Sequence, residues 1–164
     1  MAFASVGVSS IDEIDRALET LKASGCPQVV LLHCVSEYPA HARDFNLASM
    51  LELKKRYGDF VGLSDHSPGH TIAVSSTALG ARVIEKHFTL DRKMDGPDHS
   101  FSINELELSN LVTSVRRVED AMNDHGYGVL MSEIDTAQNL RRSLFFKNDF
   151  KKGKVLNKNS IAIK

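Results

Sequence analysis

The order of apolar and polar positions divides the chain into short runs and longer stripes. Phe3 to Val8 is a brief apolar run closed by two serines, and Val29 to Cys34 is apolar with almost no interruption. Val61 to Ser64 and Arg82 to Phe88 are two further short runs. A run without alternation, as at Val29, is what a strand covered on both faces of a parallel sheet requires. Between the runs lie stripes at helical spacing. Ser10-Ile-Asp-Glu13 is a capping box that opens a helix carrying Ile11, Ile14, Leu18 and Leu21, with Gly25 and Pro27 to end it. Asn46 can cap a second helix bearing Leu47, Met50, Leu51 and Leu53 and stopped by Gly58, and Thr71 to Leu79 makes a third. Ser102-Ile-Asn-Glu105 reads as another capping box, opening a long helix with Leu108, Leu111, Val115, Val118 and Met122 on one face and Gly126 and Gly128 at its end.

The pattern is therefore strand then helix, repeated, with strands ending near Gly7, Ser36, His66 and His87. These intervals are close to the ~30 residues that a βαβ unit takes. An α/β fold follows, and about four right-handed units of this kind make either half of a (β/α)8 barrel or a small open sheet. After residue 128 the character changes. Ser132 to Leu140 suits a turn or two of helix, Ser143 to Phe146 and Ser160 to Ile163 suit strands, and Lys151 to Gly153 suits a turn. Residues 1–128 and 129–164 are the predicted divisions.

Composition adds mainly exclusions. With 42% hydrophobic and 25% charged residues over 164 positions, the chain can build a globular core. A net charge of -1 leaves no basic footprint for nucleic acid, so any anion must be held by local groups. The apolar runs are too short to cross a bilayer and the first residues lack the regions of a signal peptide, so a cytoplasmic protein with no membrane partner is expected. Cys34 lies within a strand and reads as a small buried thiol; a Cys26–Cys34 disulfide is the competing reading.

The strand ends concentrate polar groups: Ser5, Ser36 with Tyr38, Ser64-Asp65-His66, and Glu85-Lys86-His87. In parallel sheets that edge carries the chemistry. His66 and His87 end successive strands, and two imidazoles with an acid such as Asp98 suit Mn²⁺, Fe²⁺ or Zn²⁺ with positions left open. Hydrogen-bonded structural histidines are the other reading of the same spacing. Serine hydroxyls at three strand ends can donate to phosphate oxygens, or simply cap the helices that follow. Asp95-Gly96-Pro97-Asp98 also suits a plain turn, and Lys86 is either a reactive amine or half of a salt bridge. His33, His41, His70, His99 and His125 have no partner that the sequence identifies.

HCVSEYP (residues 33–39), FNLASM (45–50), GLSDHSPG (62–69), ALGARVIEKHFTLDR (78–92) and GPDHSFS (96–102), in this order, closely resemble the sialic acid synthase family, which includes N-acetylneuraminate, legionaminate and pseudaminate synthases. Arg141 to Leu144 and Asp149 to Lys154 resemble the start of that family's antifreeze-like (SAF) domain. The resemblance implies the C-terminal half of a TIM (β/α)8 barrel, then a short linker and a truncated antifreeze-like segment. It implies condensation of phosphoenolpyruvate with an N-acetylated hexose such as N-acetylmannosamine, releasing phosphate. It further implies a divalent metal, Mn²⁺ or Mg²⁺, on His66 and His87, with Asp98 and Tyr38 near the sugar and Ser5, Ser36 and Ser64 at the phosphate. Two departures are visible. Val35 and Ser36 stand where family members usually carry a threonine motif, and the family's first half-barrel, with its phosphate-binding lysines, has no match here. The expectation is thus a synthase half-barrel, inactive unless another chain supplies the rest, associating with that half or with copies of itself. The alternatives are a non-catalytic metal- or anion-binding module that assembles with another chain, and a metal-dependent aldolase of another half-barrel type.

Overall fold

Four parallel strands pair in sequence order. In the computed structural model, which describes residues 1–124 and 126–164, β1 (Ala2–Ser5), β2 (Val29–Cys34), β3 (Val61–Asp65) and β4 (Ile84–Lys86) form one sheet ordered β1-β2-β3-β4. His125 lies outside the described residues. Helices α1 (Ile11–Ala23), α2 (Ser49–Tyr57) and α3 (Thr71–Ala78) connect successive strands, and α4 (Glu105–Ala121) follows β4. The strand order never reverses, as it would in a doubly wound sheet, so each unit adds to the same edge as in a barrel. The contacts divide the chain into two compact units, Met1–Asn123 and Asp124–Lys164.

The first unit has its core on the helix side of the sheet. Leu31, Val61 and Leu63 meet Ile14 of α1, Met50 and Leu53 of α2, Ala73 of α3 and Leu111 of α4, with Phe45 and Ile103 from the loops. Each fully buried side chain of this size contributes about 1.5–3 kcal/mol relative to exposure. The register fixes the opposite face, because side chains alternate along each strand. Phe3 lies beside Val30, Ser5 beside Leu32 and Gly62, and Cys34 beside Ser64 and Glu85. Gly62 is required there: a Cβ would stand 2.4 Å from the Val83 carbonyl oxygen and 2.7 Å from Leu32.

Several expectations shift. The run at Phe3 is covered on one face only, and Phe3 is 56% exposed on an outer strand of the described sheet. Cys26 and Cys34 are free thiols, with Cys26 bonded to the Gln28 carbonyl, so the disulfide reading fails. Asn46 does not cap α2 with its side chain. It takes a left-handed backbone (φ 41°), which asparagine tolerates, and its carbonyl accepts from Ser49 N at the helix entry. Nor does α4 start at Ser102: Ile103 is 2% exposed and held extended between the His87 carbonyl and the Thr89 N–H, so the capping box moves to Asn104 and Glu107. The same helix ends at Ala121, short of the two glycines.

The second unit contains a 3₁₀ turn (Met131–Glu133), α5 (Ile134–Leu140), and an antiparallel pair of β5 (Leu144–Phe146) with β6 (Ile161–Ile163). Among the described residues no helix is long and apolar enough to cross a membrane.

Candidate functional site

The last rung of the β3–β4 ladder pairs Asp65 with Lys86, and the next residue on each strand is a histidine. Alternation returns both imidazoles to the face that carries Ser64 and Glu85. The ring centroids of His66 and His87 are 5.3 Å apart. His66 is buried at 7% exposure, and its Nδ1 lies 2.8 Å from the Val35 carbonyl oxygen. A carbonyl only accepts, so Nδ1 carries the proton and the lone pair of the neutral ring sits on Nε2. Fixing one ring nitrogen in this way is how proteins present the other to a ligand. The His66 carbonyl accepts from Ala40 N and the His87 carbonyl from Ile103 N, which anchors both backbones.

Aromatic rings wall this edge. Tyr38 lies against His66 with centroids 4.1 Å apart, and Phe101 meets His87 edge-on at 5.3 Å. Tyr38 and Phe101 are themselves 5.8 Å apart. Asp98 brings a carboxylate oxygen to 3.6 Å from His87 Nδ1. Below the rings, Ser64, His66, Glu85, Lys86 and His87 line a cavity of about 170 Å³. Ser64 donates to Glu85 Oε1 at 2.8 Å there.

The structure thus brings His66, His87, Asp98 and Tyr38 together, with Ser64 one inward rung below. Ser36 stands apart from Ser64. Its Oγ lies 3.9 Å from Cys34 Sγ, which is itself 3.9 Å from His66 Nδ1. Ser5 is on the rung of Leu32 and Gly62, and Ser64 stands two residues further along β3. The side chains of Asp65 and Lys86 turn away from the histidines, although Lys86 still borders the cavity. Their side chains point to the helix layer and pair at 2.9 Å, with 0% and 4% exposure, which resolves Lys86 as half of a salt bridge. Among the described residues, no group of three His, Cys, Asp or Glu side chains is close enough to hold a metal by itself.

Two contributors escaped the sequence reading, and a third was seen without its face. The Val35 carbonyl is a backbone group and leaves no residue-type signal. Phe101 sits in a motif read mainly for its acid. Glu85 stood in view beside Lys86, and only strand alternation separates the one facing the histidines from the one facing the helices. Other histidines prove structural: His33 Nε2 bonds the Phe45 carbonyl, and His99 Nδ1 bonds Thr89 Oγ1.

Comparison with known proteins decides the relationship. Residues 2–127 match the NeuB family. The chain belongs to the NeuB family. It is 41% identical over 162 residues to the N,N'-diacetyllegionaminic acid synthase of Campylobacter jejuni, covering 98% of this chain and 48% of that protein. An uncharacterized protein of Methanocaldococcus jannaschii is 42% identical over 160 residues, with 98% and 48% covered. Among solved structures, the N-acetylneuraminic acid synthetase of Leptospira borgpetersenii in complex with citrate superimposes with a TM-score of 0.72 at 38% identity, covering 86% of this chain and 50% of that one. This NeuB-family chain spans about half the length of the curated relatives it matches. Its four-stranded sheet is a curled half-barrel, which removes the open-sheet alternative.

Proposed function

We propose that this chain provides the C-terminal half of the catalytic barrel of a nonulosonic acid synthase, condensing phosphoenolpyruvate with an N-acetylated hexose such as N-acetylmannosamine and releasing phosphate. The observation that carries the reading is the pair His66 and His87, side by side at the C-terminal edge of a NeuB-family sheet, with His66 Nε2 left free by the Val35 bond. The residues fit a divalent ion, Mn²⁺ or Mg²⁺: His66 and His87 would hold it, and the remaining positions would be open to substrate and water. Such an ion supplies Lewis acidity toward the open-chain aldehyde of the sugar.

The chain's own residues prepare the rest. Tyr38 and Phe101 shield the rings from bulk water and offer an apolar surface to the acetyl group. Asp98 steadies His87 through Nδ1 and presents its other oxygen to sugar hydroxyls. Ser36, Ser64 and Ser5 supply hydroxyls for the phosphate of phosphoenolpyruvate, and for Ser64 this means turning its proton away from Glu85. In the reaction the methylene carbon C3 of phosphoenolpyruvate bonds to the aldehyde carbon as the C=O bond opens and its oxygen takes a proton, water adds at the cationic C2 and gives up a proton, and phosphate leaves with its bridging oxygen by C–O cleavage, so that C2 becomes a ketone.

Incubating the chain with Mn²⁺, phosphoenolpyruvate and N-acetylmannosamine, with and without the N-terminal barrel half of a relative, tests this by phosphate release. Release is expected with the complementing half and should fall at least 100-fold in His66→Ala or His87→Ala; undiminished release in both variants would refute the reading. A second reading is a non-catalytic metal- or anion-binding module that assembles with another chain. It rests on the same pair of imidazoles and predicts Mn²⁺ binding with no phosphate release under any complementation.

A further inference from the structure

The buried pair Asp65–Lys86 sits immediately before the two histidines, on the opposite face of the same two strands. Lys86 Nζ reaches Asp65 Oδ2 at 2.9 Å and also donates to the Ser67 carbonyl at 2.6 Å. The other carboxylate oxygen, Oδ1, accepts from Ser67 N at 2.8 Å and from Ser67 Oγ at 2.7 Å. Every polar end of the pair is therefore engaged, and both side chains are shut away from water. A pair of this kind adds little net stability over apolar side chains of similar size, while loss of one partner strands a buried charge. Stability is a weak reason for it here. Geometry is a better one.

The regular ladder between β3 and β4 stops at Asp65 and Lys86, so no backbone pair joins His66 to His87. Beyond that rung each histidine is tied to a different neighbour: His66 to Val35 and Ala40, His87 to Ile103. The ion pair is the cross-tie between the two strands at the point where the ladder ends. Its bonds to Ser67 extend the tie past His66, so that histidine is bracketed on both sides.

We infer that Asp65 and Lys86, with Ser67, form a positioning clamp that fixes the spacing and orientation of His66 and His87 while touching neither ring's ligand side. The consequence for metal binding rests on the reading of the histidines given under Proposed function; the clamp itself does not.

The test uses the full chain without metal first. A hydrogen-bonded imidazole N–H exchanges slowly and gives its own proton resonance, so the His66 Nδ1 proton reports the Val35 bond directly. His33 supplies an internal comparison, because neither Asp65 nor Lys86 takes part in its bond to Phe45. In the variant Asp65→Asn with Lys86→Met, which removes both charges and keeps an acceptor for Ser67, the His66 signal should broaden or vanish while that of His33 stays. A merely structural role would move both signals or neither. Mn²⁺ titration of the same variant should show at least a 10-fold weaker dissociation constant, and Asp65→Glu, with both charges kept and the contact moved by one methylene, should weaken it in the same direction. Should the double variant not fold, Asp65→Glu carries both readouts, with a displaced His66 resonance expected. A His66 resonance at its original position and width in the folded variants overturns the clamp. A wild-type chain that binds no Mn²⁺ overturns the metal reading instead, and the metal-free signal still decides the clamp.

Discussion

His66 shows how one side chain can be split between structure and chemistry. Its Nδ1 serves the fold through the Val35 carbonyl, and its Nε2 is what remains for a ligand. The two roles should therefore separate by substitution. Asparagine places an amide near Nδ1 and nothing near Nε2, so His66→Asn should keep the melting temperature within a few degrees and weaken Mn²⁺ binding at least 10-fold. Glutamine reaches closer to Nε2 and gives up the Val35 bond, so His66→Gln should melt lower, by an amount set by a lost buried hydrogen bond of about 1 kcal/mol. Thermal melts paired with Mn²⁺ titrations check both. At this scale the sequence was informative where residue type and strand position coincide, as at His66 and His87. It was silent on Val35, whose contribution is a backbone oxygen, and undecided on Glu85 against Lys86, where the answer depends on which face each rung presents.

At the scale of elements, the loop that carries Asp98 and Phe101 is held to α4 by one residue network. Arg92 donates from Nε to the Ser102 carbonyl and from its terminal nitrogen to Glu107, while Glu107 closes the capping box with Asn104 N. Ser102 Oγ in turn donates to the Asp98 carbonyl at 2.6 Å. The Arg92 guanidinium, followed by the Asn104 N–H, holds the Glu107 carboxyl below the usual glutamate range. A carboxyl lowered in the folded state contributes stability that is full above its unfolded-state pKa and lost as pH falls through the folded-state one. Glu107→Gln should therefore destabilise the chain at neutral pH, and its melting curve should approach that of the parent as the pH drops below about 4. Asn104→Ala removes the cap itself and should cost about 0.5–2 kcal/mol. The α1 capping box was legible because Ser10 and Glu13 face no competing demand, and both bonds are present. The proposed box at Ser102 failed because Ile103 is claimed by a bridge to Phe88, a long-range contact that local spacing does not encode.

For the molecule as a whole, the parallel order β1-β2-β3-β4 and the burial of consecutive residues such as Val30, Leu31 and Leu32 are what the unbroken apolar runs and intervening helical stripes imply. Spacing left open whether those four units curl, since it is the same in an open sheet and a barrel; the motifs' resemblance to the synthase family implied a half-barrel, and the superposition on a longer synthase bears it out. The exposed Phe3 and the inward-facing Glu85 belong to the face that a closed barrel would enclose. Phe3→Lys should leave the 164-residue chain's melting temperature little changed and should lower the phosphate released with a complementing half-barrel, because a charge there has to be buried on closure. The central claim is that His66 and His87 act as one cation site. Electron paramagnetic resonance of Mn²⁺ titrated into the wild-type chain and the two single alanine variants tests it most directly. One bound ion per wild-type chain is expected, with loss of that site in His66→Ala and in His87→Ala alike; an undiminished bound signal in either variant would contradict a shared cation site.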